Sequence, residues 1–577
     1  MVMEVDLVIR GGTIADGSGD ALFEGDVAVK DGRIVAVGRD GALRGAEDID
    51  ARGKLVTPGF VDIHTHYDGQ VTWENTLSPS SGHGVTSVLM GNCGVGFAPC
   101  RPADRDRLVR LMEGVEDLPE VVLATGLPWN WESFSDYLDV LDSRQYDIDI
   151  ATQLPHAALR VFAMGERAAA REDATADDCT LMAKLAEQAV KAGALGFGTS
   201  RTINHRASDG TLIPTLTAAE KELTAIAEAL GRQGAGVLQA VSDFDDVDAE
   251  LAMFRRVMER SGRPLSLSVM QWHQAPEKWR TIMEWARQCT ADGLTVRGQV
   301  NGRPVGMMLG FQLSYHPFVY TPTFKSLAHL APAERLQALR NPDVRAKIVH
   351  QTPEPSDFLG ETLIRQWQLM YPLGERPNYE PAPDSTVAAL AERAGVTPAE
   401  FAYDAMLEQD GQAVLMLPSV NYAYGSLDAA REMISHKNAV YGLGDGGAHL
   451  GFLCDASLPT FMLQYWGRDR KSERLPVEQI VRGLAHDTAQ TIGLGDRGLL
   501  RAGYKADINV IDFDALQLGP PRVSYDLPAG GRRMTQAATG YAATIVNGVT
   551  IQRGGVPTGA LPGRLVRGAR QMAGIAS

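Results

Sequence analysis

Eight short apolar segments run through the middle of the chain and constrain its fold more than any other feature. They cover residues 59–64, 85–90, 148–154, 194–198, 236–240, 265–270, 294–300 and 439–444. Helical periodicity lies between several of them, for example over residues 179–192 and 218–231. Strands that alternate with helices predict a parallel sheet, and eight such units are the number that closes a barrel. We therefore predict an α/β fold of the TIM-like (β/α)₈ barrel class.

The two ends of the chain carry a different pattern, in which apolar and polar residues alternate tightly. Residues 25–38 hold two such runs around Asp31-Gly32, and residues 543–551 hold two around Asn547-Gly548. Both dipeptides are signals for a tight hairpin between antiparallel strands. We expect the two ends to pair into one small β-sandwich domain beside the barrel.

These patterns predict a division of the chain into a central barrel and a terminal domain. The sandwich takes residues 1–57 and, with a tail, residues 491–577, while the barrel takes residues 58–490. Insertions at about 99–146 and 306–429 interrupt the barrel. A long insertion after a barrel strand usually covers the mouth, where active sites lie.

The net charge and the cysteine count argue against several classes of protein. The 577 residues carry a net charge of −16, which argues against nucleic acid or an anionic membrane as a partner. Five cysteines are too few, and odd in number, for a disulfide framework. We find neither a signal-peptide pattern nor an apolar run long enough to cross a bilayer. We expect a soluble cytoplasmic protein. The sequence does not predict its oligomeric state.

Pro58-Gly-Phe-Val-Asp-Ile-His64-Thr-His66 is the sharpest motif in the sequence. Residues i and i+2 of a strand face the same way, so His64 and His66 are expected to point together into the barrel mouth. Two imidazoles on one side can share a divalent cation such as zinc. Two polar residues at a strand end are the ordinary alternative, but this pair closes an apolar strand directly after Pro-Gly.

Two further residues with metal-binding side chains follow other predicted strands. Cys93 stands between glycines just past the second strand, and a thiolate is a strong zinc ligand, although buried cysteines often only pack. Asp445 stands in a Gly-rich stretch at the mouth end of the eighth strand, where a carboxylate can bind metal and move a proton. His449, four residues on, either contacts substrate or caps the next helix.

Together these motifs, with Gly495-Asp-Arg-Gly-Leu-Leu-Arg-Ala-Gly503-Tyr-Lys-Ala-Asp507, resemble the amidohydrolase superfamily, and more narrowly the D-aminoacylases, which are N-acyl-D-amino-acid deacylases. The resemblance implies that His64, His66 and Cys93 are metal ligands. It implies that Asp445 is the catalytic acid/base and a further ligand, with one or two zinc ions bound. The implied reaction is attack of metal-activated water on an amide bond of a small molecule, plausibly an N-acyl amino acid.

The sequence departs from this branch at two positions. The branch places metal-binding histidines at the ends of the fifth and sixth strands, where this chain has Val241 and Val269 or close neighbours. Three interpretations follow. One metal remains and hydrolysis persists, which we favour; or other side chains substitute (Gln239, Asp243, Gln271 or His273); or the chemistry has changed to another amide, an ester, a lactone or a C–C bond.

The remaining predictions concern substrate contacts and competing functions. His156 and Arg201 follow the third and fourth strands and, with Gln271 and His449, are candidates for binding substrate; Arg201 could hold a carboxylate through its planar fork. Pairing with loop neighbours is the alternative for each. A non-catalytic binding protein is the other class that we retain. A cyclic-amide hydrolase of the dihydropyrimidinase type is disfavoured, because that group needs a lysine after the fourth strand.

Overall fold

A computed structural model describes residues 3–38, 43–355 and 364–568. Parts of the predicted second insertion, residues 356–363, and of the predicted tail, residues 569–577, lie outside the described residues. The fold is mixed α/β, as predicted.

The strands are β1 (Met3–Ile14), β2 (Phe23–Lys30), β3 (Arg33–Gly38), β4 (Leu43–Asp50), β5 (Leu55–Pro58), β6 (Phe60–Asp62), β7 (Val85–Met90), β8 (Asp149–Thr152), β9 (Leu154–Pro155), β10 (Gly196–Arg201), β11 (Val237–Ser242), β12 (Leu265–Ser268), β13 (Val296–Val300), β14 (Val305–Leu309), β15 (Tyr371–Pro372), β16 (Leu415–Val420), β17 (Ala439–Tyr441), β18 (Ile508–Ile511), β19 (Gln517–Leu527), β20 (Gly531–Thr539), β21 (Tyr541–Val546), β22 (Val549–Arg553) and β23 (Val556–Pro557).

The α-helices span Arg105–Glu116, Glu120–Gly126, Phe134–Asp142, His156–Met164, Glu166–Ala169, Ala176–Ala192, Glu220–Gln233, Val247–Ser261, Lys278–Ala291, Pro322–Ser326, Pro332–Leu339, Pro342–His350, Val387–Ala394, Pro398–Gly411, Asp428–Ile434, Leu458–Phe461, Val477–Arg482 and Thr488–Thr491. Two π-helical segments, Met462–Asp469 and Gly483–Asp487, extend the helices before them. Among the described residues, every helix is too short or too polar to cross a membrane.

Each of the eight predicted central segments contains a parallel strand. One sheet has the order β6-β7-β8 and the other β17-β13-β12-β11-β10-β9, and β8 and β9 are halves of one strand interrupted at Gln153. The segments that follow the edge strands β6 and β17 are hydrogen-bonded to each other. His66 N donates to Gly446 O at 2.7 Å, and Asp445 N donates to His64 O at 2.9 Å. These bonds bring the residues that follow β6 and β17, the first and last parallel strands, side by side.

The terminal strands pair with one another, which joins the two ends of the chain as the alternating pattern indicates. Their order is β23-β22-β21-β18-β5-β1-β2-β3, with β4 added on β1. Apolar side chains of both ends, including Leu7, Val27, Ile508 and Ile545, form a core of their own. The described pairings place these strands in one sheet of nine, and the sandwich arrangement stays a prediction.

The hairpin β19–β20 lies apart from the terminal sheet and crosses to the loops that follow the parallel strands. Met534 N donates to Leu450 O at 2.8 Å, and Arg533 Nη1 donates to Ser78 O at 3.0 Å. The second insertion contributes a three-stranded sheet, β14-β16-β15, with a separate apolar core. The loops at the carboxyl ends of the parallel strands are therefore covered from two sides.

Candidate metal centre

His64 and His66 follow β6, and both side chains are buried. The Nε2 atoms of His64 and His66 lie 3.3 and 3.6 Å from Asp445 Oδ1. Asp445 comes from the loop after β17, which the backbone bonds described above hold against the His64–His66 segment. The i, i+2 spacing therefore turns both imidazoles toward one carboxylate.

Cys93 completes the cluster from the turn after β7. Its Sγ lies 3.3 Å from His64 Nε2, and the ligand atoms of His64, His66 and Cys93 all lie within 4.8 Å of one another. The four residues predicted to bind metal are thus brought together by the fold, from three separate stretches of the chain.

The backbone around the cluster is held in unusual conformations. Cys93, Asp445 and His449 have φ angles of 53°, 49° and 49°, which are uncommon for residues with a side chain. Gly91 has φ of 80°, and a Cβ there would lie 2.2 Å from the carbonyl oxygen of Gln153. Strain of this kind persists where the surroundings enforce it, and it concentrates at functional sites.

The outward-facing nitrogens of both imidazoles lie close to side-chain oxygens. His64 Nδ1 lies 2.6 Å from Gln299 Oε1, and His66 Nδ1 lies 3.0 Å from Glu116 Oε1. A histidine that binds metal through one ring nitrogen typically gives the other N–H to such an oxygen. Two imidazoles, a thiolate and a carboxylate also form a donor set that suits zinc. The residues present therefore fit a bound zinc ion.

Charges within the cluster shift the pKa of each member. Burial by itself raises the pKa of Asp445, but the facing charges of His64 and His66 outweigh it and hold that pKa well below its ordinary value. In the same way burial raises the pKa of the Cys93 thiol, yet His64 and His66 lower it overall. Burial opposes protonation of His66, but Glu116, Asp445 and Cys93 raise its pKa well above 6.5. The cluster thus favours anionic thiolate and carboxylate groups around the imidazoles.

A layer of amide side chains lies beneath the cluster. Gln239 Oε1 accepts a bond from Cys93 N at 3.0 Å, and Gln299 Nε2 donates to Ser266 Oγ at 2.9 Å. Gln153 Nε2 donates to Asn92 Oδ1, next to Cys93, at 2.9 Å. These residues orient the thiol-bearing turn and the first imidazole.

Two of the predicted substrate contacts are already engaged with protein groups. The ring nitrogens of His156 lie 2.8 Å from Thr199 Oγ1 and 2.9 Å from Glu222 Oε1, fully buried. Arg201 donates to both carboxylate oxygens of Glu250 and to Ala218 O. Neither side chain is directed at the metal cluster in this arrangement, and their contact with substrate stays a prediction.

The other two predicted substrate contacts, Gln271 and His449, have fewer contacts with protein groups. Gln271 is buried; its Oε1 accepts from Ala423 N at 3.1 Å, while its Nε2 has no hydrogen-bond partner among the described residues. His449 Nε2 lies 3.7 Å from Glu116 Oε2, and 18% of the His449 side chain is exposed. Of these four candidates, His449 is the one that contacts Glu116, which in turn contacts His66 of the cluster.

The ends of the fifth and sixth parallel strands offer no metal ligand in place of the valines. Val241 and Val269 are buried. Asp243 accepts from Thr202 Oγ1 and Ile203 N, and His273 Nε2 lies 3.1 Å from Pro418 O. Gln239 Oε1 accepts from Cys93 N and Gln271 Oε1 from Ala423 N, while the Nε2 atoms of both amides lack a partner among the described residues.

The sequence prediction missed three residues that adjoin the cluster: Glu116, His205 and Gln299. Burial, with the charges of His449, His66 and His64, lowers the pKa of His205 to about 3, although Asp445 opposes this shift. Gln299 carried a usable signal, because a polar residue inside a buried strand usually has an assigned partner. Glu116 belongs to a helix of the first insertion, and no local pattern relates it to His66.

Comparisons with known proteins identify the family of this chain. The model of the amidohydrolase family matches residues 47–552. An N-acyl-D-glutamate deacylase of Alcaligenes xylosoxydans xylosoxydans is 26% identical over 580 residues, which cover 100% of this chain and 99% of the relative. Among solved structures, a D-aminoacylase mutant in complex with CuCl₂ has a TM-score of 0.66 at 21% identity, covering 98% of this chain and 100% of the other.

A second solved structure is the N-acyl-D-glutamate deacylase from Bordetella bronchiseptica, complexed with zinc and a phosphonate inhibitor that mimics the tetrahedral intermediate. It has a TM-score of 0.64 at 22% identity, and the match covers 98% of this chain and 100% of that one. At this identity the structural likeness shows the shared fold. The family match, which spans most of the chain, shows more: this protein belongs to the amidohydrolase family, and it is a hydrolase that acts on carbon–nitrogen bonds other than peptide bonds.

Proposed function

We propose that this chain is a zinc-dependent hydrolase that cleaves the amide bond of a small N-acyl amino acid. We further propose that its eight parallel strands close into a (β/α)₈ barrel through the bonds between the His64–His66 and Asp445–Gly446 segments. The relatives named above are deacylases, and one of them was solved with zinc. The observation that carries the proposal is the convergence of His64, His66, Cys93 and Asp445.

In this proposal the four side chains divide two tasks. His64, His66 and Cys93 hold the metal, with Asp445 as a further ligand. A bound zinc ion supplies Lewis acidity that polarises the scissile carbonyl and lowers the pKa of water to roughly 7. Asp445, which is ionised because the imidazoles lower its pKa, accepts a proton from the attacking water and delivers it to the leaving nitrogen.

We propose that the substrate occupies a cavity beyond the ends of three of the parallel strands. A cavity of about 410 Å³ lies at the carboxyl ends of β10, β11 and β12, which suits a small molecule. Trp272, Leu369 and Leu417 are among its lining residues, and so is Asn204, the neighbour of His205. The apolar lining suits the apolar part of an N-acyl amino acid.

We propose that one metal is sufficient. Val241 and Val269 supply no ligand, and the nearby polar side chains are bonded elsewhere. The same valines favour a second candidate function on the same scaffold, in which the metal assists hydrolysis of another amide, an ester or a lactone.

Two measurements test the proposal. Metal analysis of the purified protein should find about one zinc per chain. A screen of N-acyl-D- and N-acyl-L-amino acids, with acetyl and longer acyl groups, should find turnover that a chelator abolishes and zinc restores. Metal binding without turnover of any N-acyl amino acid, but with turnover of esters or lactones, favours the second candidate. A protein that takes up no zinc contradicts both.

A further inference from the structure

Glu116 is a buried carboxylate that the reaction scheme above does not use. It is the last residue of the helix Arg105–Glu116, in the first insertion, and it is 1% exposed. One oxygen lies 3.0 Å from His66 Nδ1 and the other 3.7 Å from His449 Nε2. Its carboxylate thus links a candidate metal ligand to a second histidine.

This position is unfavourable for a carboxylate unless the imidazoles compensate for it. A negative group at the carboxyl end of a helix faces the negative end of the helix dipole. Neither oxygen of Glu116 has an aligned hydrogen-bond donor among the described residues. A buried charge is costly without a partner, and His66 and His449 are the basic side chains in ion-pair contact with it in the described part of the chain.

The next residue fixes Glu116 against the loop that carries His449. Asp117 ends the helix with a φ of 52°, and its Oδ2 accepts from Gly451 N at 2.9 Å and from Ser314 Oγ at 2.6 Å. A Cβ at Gly451 would lie 2.3 Å from that oxygen, so the close approach depends on glycine. The helix end is therefore fastened independently of the Glu116 side chain.

We propose that Glu116 is a positioning residue for the metal centre. Through its ion-pair contact at His66 Nδ1, its carboxylate fixes the rotation of the ring and directs Nε2 toward His64, Cys93 and Asp445. The inference rests on the proposed function, because it assigns Glu116 to the support of a metal ligand. Outer partners of metal-binding histidines raise the basicity of the ring and contribute to metal affinity.

The test compares zinc affinity in three matched proteins. Glu116→Gln keeps the size of the side chain but removes its charge. Glu113→Gln changes the same residue type one turn earlier on the same helix, where Oε1 accepts from Glu120 N at 3.1 Å, away from the cluster. The dissociation constant for zinc is measured by competition with a chromophoric chelator, and the unfolding temperature is measured on the metal-free proteins.

We expect Glu116→Gln to weaken zinc binding about 10-fold and Glu116→Ala up to about 100-fold. Glu113→Gln should bind zinc as the unaltered protein does. Glu116→Asp, which retains the charge at a shorter reach, should recover part of the affinity, and it is the variant to measure if Glu116→Gln does not fold.

Each outcome is decisive. If the unaltered protein binds zinc and Glu116→Gln and Glu116→Asp bind it equally well, the inference is wrong and the proposed function stands. The same conclusion follows if only the unfolding temperature changes, since Glu116 is then structural. If the unaltered protein binds no zinc, the proposed function is wrong and the inference fails with it.

Discussion

The carboxylate of Asp445 lies 3.3 Å from Nε2 of His64, although the two residues follow the last and the first of the eight parallel strands. The backbones of the same two residues are also hydrogen-bonded, because Asp445 N donates to His64 O. The same junction therefore joins the first strand to the last and places the acid/base candidate beside the metal-ligand candidates.

Replacing His64 by alanine should abolish tight zinc binding. The change removes one of three clustered donors, so we expect a loss of affinity greater than the roughly 10- to 100-fold that removal of an outer partner causes. Zinc content after dialysis and the dissociation constant provide the measurement. His329→Ala, at an exposed position, is the control and should keep its metal. Full zinc content in His64→Ala would contradict the assignment of this site.

Asp445→Asn should remove the proton-transfer step while leaving the fold intact. General acid–base groups contribute about 10²- to 10⁴-fold, so kcat/KM on the best substrate of the screen should fall by that factor. Zinc content is measured in parallel, because Asp445 is also a ligand candidate. Asp248→Asn, exposed on the helix Val247–Ser261, should retain activity. A decrease smaller than about 10-fold with zinc bound would exclude Asp445 as the acid/base.

Gly91→Ala should destabilise the protein through a steric clash as well as through backbone strain. The new Cβ would lie 2.2 Å from the carbonyl oxygen of Gln153, at a φ of +80°. Gly293 has φ of +87° with open space around it, so Gly293→Ala isolates the strain, about 1–2 kcal/mol. We expect Gly91→Ala to lower the free energy of unfolding by about 1–3 kcal/mol more than the control, measured by urea denaturation. Equal losses would mean that the Gln153 backbone moves aside.

Lowering the pH should reduce the free energy of unfolding through His83, whose hydrogen-bond partners do not belong to the metal cluster. Its ring nitrogens lie 2.8 Å from Thr460 Oγ1 and 2.8 Å from Gln536 O, and burial lowers its pKa to about 4. The unfolded value is near 6.5. Stability that depends on the neutral ring is present above pH 6.5 and decreases as the pH falls through 6.5 toward 4, because the unfolded chain then binds the proton.

The expected loss from this one residue is about 2 kcal/mol between pH 7.5 and pH 5. His83→Gln lacks the titrating group, so its free energy of unfolding should depend less on pH over that interval. His329→Gln, an exposed histidine, should follow the unaltered protein. Identical pH profiles for all three proteins would show that His83 is protonated without unfolding.

Features that depend on neighbours in the sequence were predictable. The eight parallel strands follow from apolar segments bounded by turns, and the joint orientation of His64 and His66 follows from their spacing. Asp445 was a candidate because active sites lie at the mouth end of barrel strands, and the structure does bring it to His64. Cys93 was found because glycines on both sides indicate a tight backbone, and Gly91 does approach Gln153 closely.

Features that depend on insertions were not predictable in the same way. Glu116 reaches His66 only because an insertion helix ends against the loop after β17, and no periodicity encodes that contact. The hairpin β19–β20 belongs in sequence to the terminal strands, yet it packs on Ser78 and Leu450. For His156 and Arg201 the sequence could not show that Glu222 and Glu250 would lie within reach, because those contacts come from later helices; their contact with substrate stays a prediction.

The junction between the first and last parallel strands also sets the order of events during synthesis. Both imidazoles and the thiol leave the ribosome early, while the carboxylate at position 445 emerges only after most of the central domain has been made. In the proposed scheme the chain therefore lacks its proton-transfer group until the segment after the last parallel strand has been made and has reached His64.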